Sequence, residues 1–286
     1  MTRIIPALSQ IADDYDLLFC DLWGCLHDGL RVHDAAVAAL RAFRAKGGTV
    51  ALMTNAPRPA SSVERQLGRL GAPRDCWDVI ASSGDAALEA VRAGQWGERV
   101  FHIGADRDEA FFDEAPVTRV PIDEAESVIV TGLRDDAVET PDDYADELRE
   151  LQLRGLRMLN ANPDIHVDVG DKRVFCAGAL AAAYRDIGGT AVAYGKPHPP
   201  IYDLGRRRAE AAAGRPFEAE RILCVGDGIL TDVAGAMAEG LDVLFVSGGL
   251  AADRLGGDPD RPDPDKLRDF IAEHRLSPRW TIGRLR

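Results

Sequence analysis

Nine short apolar runs, each cut off by a glycine or a polar residue, set the tightest limit on what this chain folds into. They are YDLLFCD (15–21), GTVALMTNAP (48–57), DVIASSG (78–84), RVFHIGAD (99–106) and SVIVTGL (127–133), followed by LRMLNANPD (156–164), TAVAYGKP (190–197), RILCVGD (221–227) and LDVLFVSGG (241–249). Their Val, Ile and Leu content suits strands buried on both faces. Between them lie segments of helical spacing rich in Ala, Arg and Glu, such as HDAAVAALRAFRAKGG (33–48) and TDVAGAMAEGL (231–241). Strands alternating with helices predict an α/β fold with a parallel sheet covered on both sides. No repeat of fixed period stands out, and GGDPDRPDPDK (256–266) is expected to be a solvated loop before a last helix.

With 286 residues, 46% of them hydrophobic, the chain has room for one large α/β domain or two modest ones. Its net charge of −13 repels phosphate backbones and anionic lipid, which argues against nucleic-acid or membrane binding through a broad basic face. A small anionic ligand then needs a local cation, either a metal or Lys/Arg. The five cysteines, Cys20, Cys25, Cys76, Cys176 and Cys224, are scattered and show no metal-ligand spacing. They read as small buried hydrophobes of a reducing compartment. No run of 18 apolar residues and no leader-like N-terminus is found, so the expected location is cytoplasmic.

In open α/β sheets ligands gather beyond the carboxyl ends of the strands. Asp21, Thr54 with Asn55, Lys196 and Asp227 stand at such ends, and Asp232 follows one helical turn after Asp227. Each alone has a structural alternative, since Asp and Asn begin turns or cap helices and Gly-Lys-Pro also occurs as a plain loop. Together, three carboxylates and a lysine suggest a magnesium and phosphate site. Mg²⁺ takes oxygen ligands, typically one or two carboxylates completed by phosphate and water. An aspartate also serves as a nucleophile toward phosphorus. Lys196, the Thr54 hydroxyl and backbone N–H groups of the turn at Gly24 are the candidate phosphate contacts.

The order DLWGCL, MTNAP, GKP and GDGILTD resembles the four motifs of the haloacid dehalogenase superfamily of phosphatases. The resemblance is closest to its class IIA branch, the 4-nitrophenylphosphatase-like hydrolases, and extends to IASSGDAALEAV, VFHIGAD and LNANPDIHV. It implies a doubly wound Rossmannoid core from residues 1–83 and 191–286, with an α/β cap inserted at 84–190. It also implies a Mg²⁺-dependent phosphohydrolase acting on a small phosphorylated metabolite, with Asp21, Thr54 and Lys196 catalytic. The implied metal set is Asp21, the Trp23 carbonyl, Asp227 and Asp232. Trp23, Gly24 and Asn55 are expected to line the substrate. The NPD of 162–164 matches a cap motif, which makes Asn162 and Asp164 candidates for the cap face above the site. An ordinary loop leaving a strand is the alternative there. Gly178, in GDKRVFCAGAL (170–180), either shapes the pocket or simply starts a helix.

One position departs from the family pattern Asp-x-Asp-Gly. The second Asp, which acts as general acid and base, is here Trp23. A backbone carbonyl survives that change, but an indole N–H is no proton donor for catalysis. His27 is the nominee to replace it, with Asp28 and His33 behind it; packing or capping is the alternative for His27. Three readings stay open: a hydrolase with altered proton management, a phosphoryl-transfer or carbon–phosphorus chemistry that needs no acid there, or a phosphometabolite-binding pseudoenzyme. Retention of Asp21 beside the full metal set favours the first. Arg134, Arg173 and Arg185 are unranked candidates for a second anion. The tail FIAEHRLSPRWTIGRLR (270–286) either folds back on the core or uses Trp280 at a subunit contact, and a homodimer is compatible with the resemblance.

Overall fold

The computed structural model describes residues 2–170 and 172–286. In chain order its strands are β1 (Arg3–Ile4), β2 (Leu17–Asp21), β3 (Thr49–Thr54), β4 (Val79–Ser82), β5 (Arg99–Ile103), β6 (Thr118–Arg119) and β7 (Ser127–Val130). They continue with β8 (Arg157–Asn160), β9 (His166–Val169), β10 (Lys172–Phe175), β11 (Ala191–Ala193), β12 (Ile222–Gly226), β13 (Asp242–Val246) and β14 (Trp280–Ile282).

The larger sheet runs β1-β14-β13-β12-β2-β3-β4, and every neighbouring pair is parallel. All residues of β2, β3 and β12 are buried, as expected of strands covered on both faces. Alternate residues feed two separate cores. Leu18, Cys20, Val50, Leu52, Leu223 and Val225 pack on one side of the sheet. Leu17, Phe19, Ala51, Met53, Ile222 and Cys224 pack on the other. From β2 the chain adds β3 and β4 in one direction and later returns to add β12, β13 and β14 in the other. The crevice at that reversal, beyond the ends of β2 and β12, is where such sheets hold ligands.

A second sheet, β11-β8-β7-β5-β6, is also parallel throughout, and β9 and β10 form a separate antiparallel hairpin. Its helical cover starts at once after β4. Ala87, Leu88, Ala90 and Val91 of the Ser83–Arg92 helix pack with Trp96, Val100, Ile129 and Leu159. The far boundary needs correction from 190. Ala191–Ala193 pair with Met158–Asn160, so these three residues complete the smaller sheet and the chain crosses back only before Lys196.

The tail folds onto the core. β14 lies between β13 and β1, and Trp280 Nε1 donates to the Tyr15 hydroxyl at 2.9 Å. That hydroxyl in turn donates to Asp242 Oδ2 at 2.7 Å. Among the described residues no helix is long and apolar enough to cross a membrane.

Candidate active site

Asp21 ends β2, Thr54 ends β3, and Asp227 directly follows β12, so three parallel strands deliver three polar groups to one crevice. Asn55 comes one residue after Thr54. Lys196 arrives on the returning chain, just ahead of the Pro199–Ala213 helix, and Asp232 sits in the single π-helical turn Ile229–Val233. All six line a cavity of 230 Å³ between the two sheets.

Lys196, only 3% exposed, ties the group together. Its Nζ donates to Asp21 Oδ1 at 2.5 Å and to Asp232 Oδ1 at 2.7 Å. Asn55 holds the lysine backbone from both ends: Oδ1 accepts from Lys196 N at 2.8 Å, and Nδ2 donates to Lys196 O at 3.1 Å. The same Nδ2 donates to Asp164 Oδ1 at 2.8 Å, which joins the core site to the smaller unit. Burial opposes the charge on Lys196, but Asp21 and Asp232 outweigh it and raise its ammonium above the usual range. The Thr54 Oγ1 accepts from Ala56 N at 3.2 Å, leaving its proton for a ligand.

Asp227 stands opposite this cluster, and its Oδ2 accepts from Leu250 N at 2.9 Å. Two glycines make room for it. A Cβ on Gly24, which has φ +71°, or on Gly249 would collide with the Asp227 carboxylate. Carboxylate oxygens of Asp21 and Asp227 and the Cys25 sulfur lie within 4.8 Å of one another. Burial holds the Cys25 thiol well above its usual range, so it stays protonated and offers little to a hard cation. The Trp23 carbonyl receives no backbone N–H among the described residues. Two buried carboxylates and a spare carbonyl fit the oxygen preference of Mg²⁺. Asp232 is already engaged, by Lys196 at one oxygen and by Gly228 N at 3.1 Å at the other. It shares the lysine with Asp21, whose Oδ1 is 2.5 Å from Nζ, but unlike Asp21 it has both carboxylate oxygens hydrogen-bonded among the described residues.

Burial, with Asp232 adding to it, pushes Asp227 up to about 7, and burial also raises Asp21 well above the ordinary carboxylate range. A carboxylate with a raised native pKa binds a proton that the unfolded chain has already released. The contribution of Asp227 to stability therefore falls as pH rises from about 4 through 7. A divalent cation reverses this by preferring the ionised pair. Millimolar Mg²⁺ is expected to raise the melting temperature by several degrees at pH 8 and scarcely at pH 5. Equal shifts at both pH values, or none at pH 8, would speak against a metal on these carboxylates.

Trp23 lines the cavity as expected, edge-on to the His27 ring at 4.9 Å and 72°. Gly29, at φ +86°, lies so close that its Cβ would enter the indole. His27 itself needs correction. It is 1% exposed, does not line the cavity, and its Nδ1 accepts from Gly29 N at 3.1 Å. Burial lowers it to about 4, so the ring stays neutral rather than becoming the imidazolium a general acid requires. It serves the turn after β2. Asp28 and His33 do reach the cavity, but Asp28 is spent on Leu30 N, Arg31 N and the Arg31 guanidinium.

Asn162 is also displaced from its expected place. It lies off the site cavity, and its Oδ1 accepts from Asp164 N at 3.1 Å, so it shapes the loop that presents Asp164. Asp164 faces the cavity, and burial raises it to about 6. Gly178 both starts a helix and seats this loop: its N donates to Asp164 O at 3.1 Å, and a Cβ would collide with the carbonyls of Pro163 and Asp164. Arg134 points elsewhere, pairing with Glu147 at 2.7 Å. The sequence reading missed Gly249 and Leu250, although paired glycines after a buried apolar run signal close backbone approach.

Residues 18–118 match the family described as haloacid dehalogenase-like hydrolase, and residues 193–272 match a second described as HAD-hydrolase-like. The chain is 30% identical over 265 residues to D-glycerol 3-phosphate phosphatase of Mycobacterium tuberculosis, covering 89% of this chain and 69% of that protein. A solved haloacid dehalogenase-like hydrolase from Brucella suis is 41% identical with a TM-score of 0.88, over 99% of this chain and 100% of the other. The glycerol phosphate phosphatase from M. tuberculosis, solved in complex with magnesium, is 27% identical with a TM-score of 0.65, over 87% and 74%.

Proposed function

The chain belongs to the haloacid dehalogenase-like hydrolases, and from that premise we propose that it is a Mg²⁺-dependent phosphatase of the class IIA branch, hydrolysing a small phosphorylated metabolite through an aspartyl-phosphate. The observation that carries this is the buried Lys196 bridging Asp21 and Asp232 beside Asp227, in a cavity closed by the smaller α/β unit acting as a cap. Asp21, Asp227 and the Trp23 carbonyl would hold the metal, which when bound offsets the charge of carboxylates and phosphate.

An Asp21 oxygen attacks phosphorus while the bond from phosphorus to the leaving oxygen breaks. Lys196 and the Thr54 hydroxyl orient the phosphoryl oxygens, and positioning with charge neutralisation supplies most of the catalysis. The departing oxygen takes its proton from Asp164. Water then attacks the aspartyl-phosphate, returns a proton to Asp164 and frees Asp21 and phosphate. Asp164 suits this task because it faces the cavity and has one oxygen held by Asn55, and because a group titrating near neutrality serves as both acid and base. In this role it would replace the acid that the first motif lacks at Trp23.

Asp164→Asn is expected to lower turnover of alkyl phosphates by about 10²-fold and to spare 4-nitrophenyl phosphate, whose leaving group needs no proton. Trp23→Asp should raise alkyl phosphate turnover at least about tenfold and shrink the penalty of Asp164→Asn in the double variant. Steady-state kinetics on both substrate classes decides the point. Equal losses on both classes would remove Asp164 from proton transfer, and no gain from Trp23→Asp would mean the pocket is built around the indole.

A further inference from the structure

A second cavity of 480 Å³ opens from the first, and Asp164, His166, Asp227, Thr231 and Leu250 line both. Resting on the phosphatase reading, we infer that the substrate carries a second anionic group, a carboxylate or another phosphate, received in this adjoining cavity by Arg173, Arg185 and Arg254.

The three arginines come from three separate elements: β10 of the cap hairpin, the Ala177–Asp186 helix of the cap, and the Ala252–Leu255 turn of the core. The cavity's carboxylates are Asp164 and Asp227, both at the mouth shared with the phosphate end. In a chain of net charge −13, three arginines gathered on one cavity wall are a local concentration of cationic side chains. Arg173 is held by Asp168, with Nε to Oδ1 at 2.7 Å and Nη2 to Oδ2 at 2.9 Å, and Arg254 pairs with Glu273 at 2.6 Å. Arg185 has no ion pair and no side-chain hydrogen bond among the described residues. Two arginines are thus fixed in place and one remains free for a ligand. A planar guanidinium meets carboxylate or phosphate oxygens in a fork, which gives direction as well as charge.

The rest of the wall suits a carbon skeleton between two charged ends. Ile165 and Leu230 line it, 44% and 63% exposed, and offer apolar surface to the skeleton. Arg134 has no part in this because it does not line the cavity. Cap and core both contribute arginines, so a second anion would bind across the interdomain crevice and favour its closure.

Calorimetry on the turnover-free Asp21→Asn protein with Mg²⁺ tests the inference with two matched pairs. One compares 3-phosphoglycerate with glycerol 3-phosphate, where a carboxylate replaces a hydroxymethyl group. The other compares fructose 1,6-bisphosphate with fructose 6-phosphate, where the added group is a phosphate. At least one bianionic member should bind about tenfold more tightly than its partner, and which pair shows it names the second anion. Adding Arg185→Gln should reduce that ratio to about threefold or less, and Arg254→Gln should act in the same direction. Ratios near one in both pairs, a ratio that survives both arginine changes, or no binding by any of the four would overturn the inference. Failure of the phosphatase reading is seen separately, as absence of Mg²⁺-dependent release from 4-nitrophenyl phosphate by the unaltered chain.

Discussion

Asparagine at position 21 is expected to abolish turnover while leaving the cavity assembled. Asp21 sits at the end of a wholly buried strand, 7% exposed, with Oδ1 fixed by Lys196 at 2.5 Å. An amide of the same shape still accepts from the lysine, and Asp232 still pairs with it. What is lost is the negative oxygen that attacks phosphorus, along with one anionic metal ligand. Removal of a covalent nucleophile takes away a whole reaction path, so release from 4-nitrophenyl phosphate should fall by about 10⁴-fold or more. The melting temperature without metal should change far less than activity, because the amide also relieves repulsion between Asp21 and Asp227. A loss within about tenfold would mean that another group, or water directly, attacks phosphorus.

Lys196→Met should damage stability and activity together. The lysine is the cation between two buried carboxylates, and its removal leaves Asp21 and Asp232 uncompensated beside Asp227. Breaking a buried pair from one side costs about 3–5 kcal/mol, because the remaining charge is stranded away from water. For a chain of this size that corresponds to a fall in melting temperature of about 10 °C. The contribution of Lys196 itself is flat between pH 5 and 9: its pKa is raised on folding, so its stabilisation is complete below the unfolded value near pH 10. The stranded carboxylates add a pH dependence, and the variant should lose most at alkaline pH and regain most with Mg²⁺. Turnover should fall by about 10³-fold, as for loss of a fixed donor to a transferring group. Thermal scans across pH with and without Mg²⁺ check this, and a variant as stable as the unaltered chain would show that the bridge is not what holds the carboxylates together.

Much of this was legible from the chain alone because burial on both faces leaves a plain mark. Runs such as LLFCD and ILCVG have no polar face, and their abrupt ends put Asp21 and Asp227 at strand ends where an open sheet holds ligands. The convergence of Asp21, Thr54, Asn55 and Asp227 follows from that pattern, whereas Lys196 reaches the crevice from the end of the smaller sheet and Asp232 from a turn after β12. His27 was not legible. A histidine four residues after Trp23 looks like a free acid in the sequence, and only the tight turn through Gly29 shows its Nδ1 occupied and its ring out of the cavity. Asn162 and Asp164 share one motif, and the chain gives no sign that one shapes the loop while the other faces the site. The cap boundary slipped by three residues because AVA is too short to reveal which sheet it joins. The ranking of Arg134, Arg173 and Arg185 also needed three-dimensional contacts, since charge pairing across elements leaves no periodic signal.

The most direct test of the account is to stop the reaction during turnover of 4-nitrophenyl phosphate with Mg²⁺ and locate covalent phosphate by mass spectrometry. The prediction is one acid-stable, hydroxylamine-labile phosphoryl group on the peptide that contains Asp21, absent when Mg²⁺ is removed and absent from Asp21→Asn. Sustained phosphate release with no phosphoryl group at Asp21 would contradict the central claim.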